Sequence, residues 1–204
     1  MNGVAIYLEG GGAGKESRAE LRRGMDAFLG EIKAAALARP LRWKLVACGG
    51  RQRTYEAFVN AAGDPDFSIR VLLVDAEEPV ATTRREHLRR RDRWSFPGVA
   101  ETAVHLMTQT METWIVADPD ALSDFYGKNF HKSALPKAQN LEMVLKQDVA
   151  NSLERATRDT TKGVYHKIRH VNALLSGIDA TKVRARCPCC EALFIELPGM
   201  IEVA

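Results

Sequence analysis

The stretch Val4-Ala5-Ile6-Tyr7-Leu8-Glu9-Gly10-Gly11-Gly12-Ala13-Gly14-Lys15 decides the fold. Its first five residues are a continuous apolar run, the pattern of a strand covered on both faces. The glycines at 10, 11, 12 and 14 then make a flexible loop. Outward from that loop, Leu21, Met25, Phe28, Leu29, Ile32 and Ala36 fall on one face of a 3.6-residue period. This predicts one long helix, stopped at Pro40. Lys44 to Cys48 predicts a second strand, closed by Gly49-Gly50, and Tyr55 to Ala62 a short helix. Gly63-Asp64-Pro65-Asp66 is a turn cluster, and Ile69 to Val74 predicts a third strand running into Asp75-Ala76-Glu77-Glu78-Pro79. Strand, helix, strand, helix, strand predicts an α/β fold: a Rossmann-like parallel sheet with right-handed crossovers and flanking helices.

The rest of the chain reads as mostly helical. Helices are expected near 101–114, 119–126, 141–156, 165–176 and 179–195, with Trp114 to Ala117 the one later stretch that could form a strand. The simplest division is a single domain over 1–204, with an α/β core over 1–118 and a helical C-terminal extension over 119–204. Hydrophobic residues at 46% and charged residues at 27% are ordinary globular values. A chain of 204 residues buries enough surface to fold without disulfides or zinc. No apolar run approaches the ~20 residues of a membrane span, so no membrane partner is expected. The N-terminus has no basic region and reaches Glu9, which argues against a signal peptide and for a cytoplasmic protein with reduced thiols. Three cysteines crowd into Cys187-Pro188-Cys189-Cys190 with no second pair at metal spacing, which argues against zinc, and Cys48 reads as core. A net charge of +3 is too mild to announce nucleic acid by itself.

The glycine loop looks like a phosphate-binding loop but lacks its parts. Counting back from Lys15, the first glycine position holds Glu9, and the hydroxyl position holds Glu16. A dinucleotide fingerprint would need its third glycine where Lys15 stands. The glycines read instead as a turn that lets the chain leave a sheet. A different pattern survives. Glu9 ends the first strand, and Asp75 and Glu77 end the third. Ligands bind at the carboxyl ends of strands in open parallel sheets, and these acids converge if the first strand lies beside the third. Residues 75 and 77 of an extended chain also face one side. Carboxylates held close repel, and a hard cation such as Mg²⁺ (or Mn²⁺) relieves that repulsion. Coordinates separating Glu9 from Asp75, or tying either into an internal pairing with an arginine, would end the case for this reading.

Glu9-Gly10 and Asp75-Ala76-Glu77 resemble the signature of the TOPRIM fold, with Asp-x-Glu in place of Asp-x-Asp. A wider set is similar to an uncharacterised bacterial family of TOPRIM-like proteins related to OLD-family nucleases. It comprises Tyr7 to Gly12, Val46 to Arg51, Leu73-Val74-Asp75, His105-Leu106-Met107 with Met111-Glu112-Thr113-Trp114, and Lys162 to Lys167. The resemblance implies a TOPRIM-type nuclease, a metal-dependent hydrolase of DNA or RNA. It also implies an AAA or ABC-type ATPase partner in a phage-defence-like module. On it, Glu9 is a metal ligand or general base, Asp75 and Glu77 are metal ligands, and Lys167 stabilises charge, with Lys162 the runner-up. His105, Thr108, Gln109 and Glu112 share the polar face of the helix expected near 101–114. The resemblance implies that Glu112 is a further ligand there and His105 its support; the plainer alternative is a solvated face. Ala13 stands where OLD-type nucleases place a second acid, and Glu16 and Glu78 lie off that spacing. A two-metal mechanism is thereby in doubt, and a scaffold that binds nucleic acid or an ATPase without cutting stays open.

Two basic segments complete the reading. Arg84, Arg85, Arg89, Arg90, Arg91 and Arg93 crowd ten positions, followed by Trp94 and Phe96, which could stack bases. Lys162 to His170 is the other, with His166 and His170 at i, i+4 on an expected helix. Arg84, Arg85, Arg89, Arg90, Lys162 and His166 are the expected nucleic-acid contacts; the plainer alternative in each case is a solvated face. The sequence leaves open DNA or RNA, one ion or two, and whether the chain forms an oligomer.

Overall fold

A computed structural model describes residues 3–204. Four strands, β1 (Gly3–Glu9), β2 (Arg42–Gly49), β3 (Ile69–Asp75) and β4 (Val104–Met107), form one all-parallel sheet in the order β2-β1-β3-β4. The apolar run of β1 is buried because both its faces are covered. Val4, Ile6 and Leu8 join one core, and Ala5 and Tyr7 join the other. The protein is an α/β Rossmann-like fold.

Helices α1 (Lys15–Phe28) and α2 (Gly30–Ala38) follow β1 on the face of Ile6. Helix α3 (Arg51–Asn60) follows β2, and α4 (Arg84–Asp92) follows β3, both on the face of Tyr7. The connections before and after β2 therefore lie on opposite faces, and strand order reverses between β1 and β3. In such sheets the crevice outside the strand ends opens at that switch point. Register pairs Leu8 with Leu73, so β1 and β3 end at the same level, side by side.

Six further helices follow: α5 (Met111–Val116), α6 (Pro119–Tyr126), α7 (Lys146–Thr157), α8 (Val171–Gly177), α9 (Ala180–Arg186) and α10 (Pro188–Glu202). They are not an appendage. Phe28 of α1 lies 5.3 Å from Trp114 of α5 and 5.6 Å from Phe194 of α10, so the C-terminal half completes the core on the Ile6 face. No helix among the described residues is long and apolar enough to cross a membrane.

Several boundaries differ from expectation. The stretch 104–107 is the fourth strand rather than part of a helix, because a short run buried on both faces has no periodicity to separate the two. Trp114 to Val116 lies in α5, not in a strand. The single long helix is two, broken at Leu29 (φ −87°, ψ 18°), although its apolar stripe runs unbroken across the break. Helix α7 starts only at Lys146, whose N–H donates to Gln109 Oε1 (3.1 Å). Residues 165–166 are irregular and 167–170 form a turn, in place of the expected helix. His166 Nδ1 accepts from the N–H groups of Ile168 (3.2 Å) and Arg169 (3.3 Å), a local bond that competes with helix. The expected helix at 179–195 divides at Cys187, where Pro188 opens α10.

The glycine loop is held to the sheet at Gly10, whose N–H donates to the Gly49 carbonyl (2.8 Å). Gly49 has φ +85°, and a Cβ there would stand 2.6 Å from the Gly12 carbonyl oxygen. We expect Gly49→Ala to cost about 2 kcal/mol through the left-handed backbone and the forced shift of the loop. In a chain of this size that lowers the melting temperature by roughly 4–8 °C, measurable by circular dichroism.

Candidate metal centre

Glu9 and Asp75 sit on the last residues of adjacent strands, and Glu77 follows one turn later. One oxygen from each carboxylate lies within 4.8 Å of the others. No other group of His, Cys, Asp and Glu among the described residues meets that test. Strand alternation is not what brings Asp75 and Glu77 together. Glu77 is left-handed (φ +69°), and its N–H donates to the Gln109 carbonyl (2.6 Å), so a turn beyond β3 returns its side chain.

Asp75 is the most confined of the three, with a side chain only 6% exposed. Its Oδ1 accepts from the Met111 N–H at the start of α5 (2.8 Å), and its Oδ2 lies 3.6 Å from Lys167 Nζ. Burial pushes its carboxyl up to about 7, with Glu112 and Glu9 adding to the rise and Lys167 opposing it. Burial also raises Glu9, against Arg51. For Glu77, burial is outweighed by Lys146, whose Nζ donates at 2.5 Å, and its carboxyl is lowered. Glu112 stands outside the trio on the first turn of α5. It accepts from the Tyr165 hydroxyl (3.2 Å) and pairs with Lys167 (3.4 Å). Lys167 thus links Glu112 to Asp75 from a half-exposed position, and these two acids raise its amine against the effect of burial.

Arg51 opens α3 and borders the cluster. It grips Asp92 through two bonds (2.8 and 2.7 Å), donates to Glu9 Oε2 (3.0 Å) and to the Asp75 carbonyl, and lies 5.0 Å over the Trp94 ring. An internal arginine pairing at Glu9 is the feature expected to end the case for a cation site, and Arg51 makes one. It is a partial pairing: the same Glu9 oxygen also accepts from the Asp75 N–H (3.2 Å), and Asp92 takes two of the donors of Arg51. Five carboxylates (Glu9, Asp75, Glu77, Asp92, Glu112) face four cations (Arg51, Arg91, Lys146, Lys167), so the ionised cluster lacks one positive charge. All-oxygen donors and that deficit fit a hard divalent ion. Beside the cluster a cavity of about 500 Å³ opens between the glycine loop, Met111 and the segment carrying Lys167.

Residues 8–197 match the family described as a domain of unknown function (DUF4276). The chain belongs to that family. The matched span contains the whole acid cluster and the four cations around it. No curated protein and no solved structure matches the chain.

Other expected positions fall elsewhere in this DUF4276 chain. His105 is fully buried on β4 and does not support Glu112. Its Nδ1 lies 3.1 Å from Arg84 Nη1 and its Nε2 3.0 Å from the Thr102 carbonyl. Since Arg is only a donor, Nδ1 accepts and Nε2–H donates. Burial and Arg84 push the ring down to about 3, so it is neutral at ordinary pH. Arg84 is taken up by Glu196 (2.8 Å), Glu101 and His105, which withdraws it from any nucleic acid. Arg85 is tied to Glu101 (2.9 Å). Arg89 and Arg90 are exposed, and both pair with Glu86. Trp94 is buried in a 4.5 Å stack on Tyr55 and cannot stack a base. Lys162 is exposed over the Phe125 ring, and His166 lines the cavity. Ala13, Glu16 and Glu78 are exposed, and neither of these two acids joins the trio. All four cysteines are free and outside the acid group, and Cys48, expected in the core, is only half-buried.

Sequence reasoning missed Arg51, Lys146 and Asp92. Gly49-Gly50-Arg51 is a visible signal, a cation just past a strand end; Lys146 and Asp92 have none.

The raised carboxyl of Asp75 sets a pH dependence. Its folded value of about 7 exceeds the ordinary 3.8, so its ionisation costs stability progressively as pH rises from about 4 to 7. Without metal, Asp75→Asn is expected to melt several degrees above wild type at pH 7.5, with the difference closing toward pH 4. The acid-side loss from protonating His105 is common to both proteins and cancels. Thermal melts of both across that range check this.

Proposed function

We propose that this protein is a TOPRIM-like phosphodiesterase that cuts nucleic acid with Mg²⁺ or Mn²⁺. The observation that carries the reading is the convergence of Glu9, Asp75 and Glu77 within 4.8 Å at the switch point, with Lys167 3.6 Å from Asp75. These three acids would hold the ion. A bound divalent cation polarises a phosphoryl oxygen and makes water a better nucleophile at neutral pH. Glu9, raised by burial, would take the proton of the attacking water as the water oxygen bonds to phosphorus; the bond from phosphorus to the leaving sugar oxygen breaks, and that oxygen takes a proton from solvent. Lys167 offsets the negative charge that develops on the scissile phosphate, and Glu112, itself held by Tyr165, keeps that amine in place. The glycines at 10 to 12 leave the backbone open to an approaching phosphate. Exposed Arg89, Arg90 and Lys162 give the electrostatic attraction to a polyanion.

The remaining parts of the reading come from the TOPRIM resemblance. A separate AAA or ABC-type ATPase would trigger the nuclease within a phage-defence module. The four free cysteines suit the cytoplasm.

A second reading, a non-cutting scaffold that binds nucleic acid or that ATPase, is favoured by Arg51 on Glu9 and by Ala13 in place of a second acid. Cleavage assays on labelled DNA and RNA with Mg²⁺ and with Mn²⁺, with and without the ATPase, separate the two. We expect Lys167→Ala to cut at least ~100-fold more slowly than wild type. We expect Asp75→Ala to be inactive and to lose the metal-induced rise in melting temperature. Wild type cutting no faster than Asp75→Ala under every condition would refute the nuclease. A metal-induced melting shift with salt-sensitive nucleic-acid binding would then establish the scaffold.

A further inference from the structure

We infer that the cavity beside the acids receives one unpaired nucleobase, and that the substrate is therefore single-stranded. The inference rests on the phosphodiesterase reading and adds a substrate class to it. The cavity's volume of about 500 Å³ lies within the range of small-molecule pockets. Four aliphatic side chains, Leu21, Met111, Ile168 and Val171, line it together with the half-buried Tyr165. Lys167 belongs both to this lining and to the acid cluster. A phosphate drawn to Lys167 and the acids thus has an apolar hole next to it, where the neighbouring nucleoside must go.

The open backbone of the loop sets the shape of that hole. Gly10 has φ +116°, and a Cβ on it would stand 3.0 Å from Leu21 Cδ2 and 3.6 Å from Met111 Cε. Gly12 has φ +59°, and its Cβ would face Ile168 at 3.8 Å. Side chains at these two places would encroach on the residues that line the cavity. A base paired and stacked in a duplex cannot enter a one-sided hole; it must first leave its stack, which costs least in a single strand. An aliphatic and aromatic lining suits the face of any base. The hydroxyls present are committed, Ser17 to the Gly11 carbonyl (2.5 Å) and Tyr165 to Glu112 (3.2 Å), which leaves His166, besides Lys167, as the side chain able to reach a base edge. The pocket therefore selects strandedness ahead of sequence.

The test is fluorescence anisotropy with a labelled short single strand of mixed sequence and the same sequence as a blunt duplex, both in Ca²⁺ to hold cleavage back. Wild type is expected to bind the single strand at least tenfold more tightly than the duplex. Ile168 is 46% exposed at the cavity mouth, so Ile168→Trp should fold and fill the opening, which a melting curve verifies. Ile168→Asp keeps the space but sets a carboxylate in it. Both variants are expected to lose the single-strand preference. Equal binding of strand and duplex by wild type, or an unchanged preference in both variants, overturns the inference and leaves metal-dependent cleavage untouched. No binding to either probe together with no cleavage overturns the nuclease reading, and this inference with it.

Discussion

Repulsion among carboxylates crowded at the ends of β1 and β3 is the constraint around which this molecule is arranged. A parallel sheet that reverses its winding at those strands offers one crevice, and Glu9, Asp75 and Glu77 are the groups placed there. Left alone, such a cluster would drive its members apart or keep them protonated. The protein answers with cations delivered from three distant places: Arg51 from the start of α3, Lys146 from the start of α7, and Lys167 from the turn before α8. Lys146 more than offsets the burial of Glu77, but Asp75 keeps a carboxyl value far above that of a free aspartate. A site that retains this tension is held together by the rest of the fold.

The surrounding structure serves that holding. Asp75 is fixed by a backbone N–H of α5, Glu77 by a left-handed turn against Gln109, and Glu9 by the amide of Asp75. Gln109 is itself buried and locks the segment leading into α7, with Nε2 donating to the Val144 carbonyl (3.0 Å) and Oε1 accepting from Lys146. The glutamine thereby positions both an acid of the cluster and the lysine that pairs with it.

How much of this was legible in the sequence depends on whether the signal was local. The first three strands could be read because each is an apolar run ending in glycine or acid, and a parallel sheet leaves its central strands without polar alternation. The strand-end acids followed from the same reading. β4 was missed because Val-His-Leu-Met is too short to separate a strand from a helix, and His105, once buried in it, changed from a support of Glu112 to a partner of Arg84. The arginine run told its charge but not its partners: Arg84 turns inward to Glu196, over a hundred residues away, and no local pattern encodes that. Arg51 lay in plain view after a glycine pair, yet its role depends on Asp92 and Glu9 meeting in space.

The order in which the cluster is assembled along the chain has its own consequence. The three acids are all present once residue 77 has been made, but the lysine that faces Asp75 arrives only at 167, on a segment anchored by α8 against α1. Of the cations that pair with the trio, only Arg51 comes from the first half of the chain. The crevice is therefore complete only with the last third of the polypeptide, which supplies Lys146, Lys167 and one wall of the cavity.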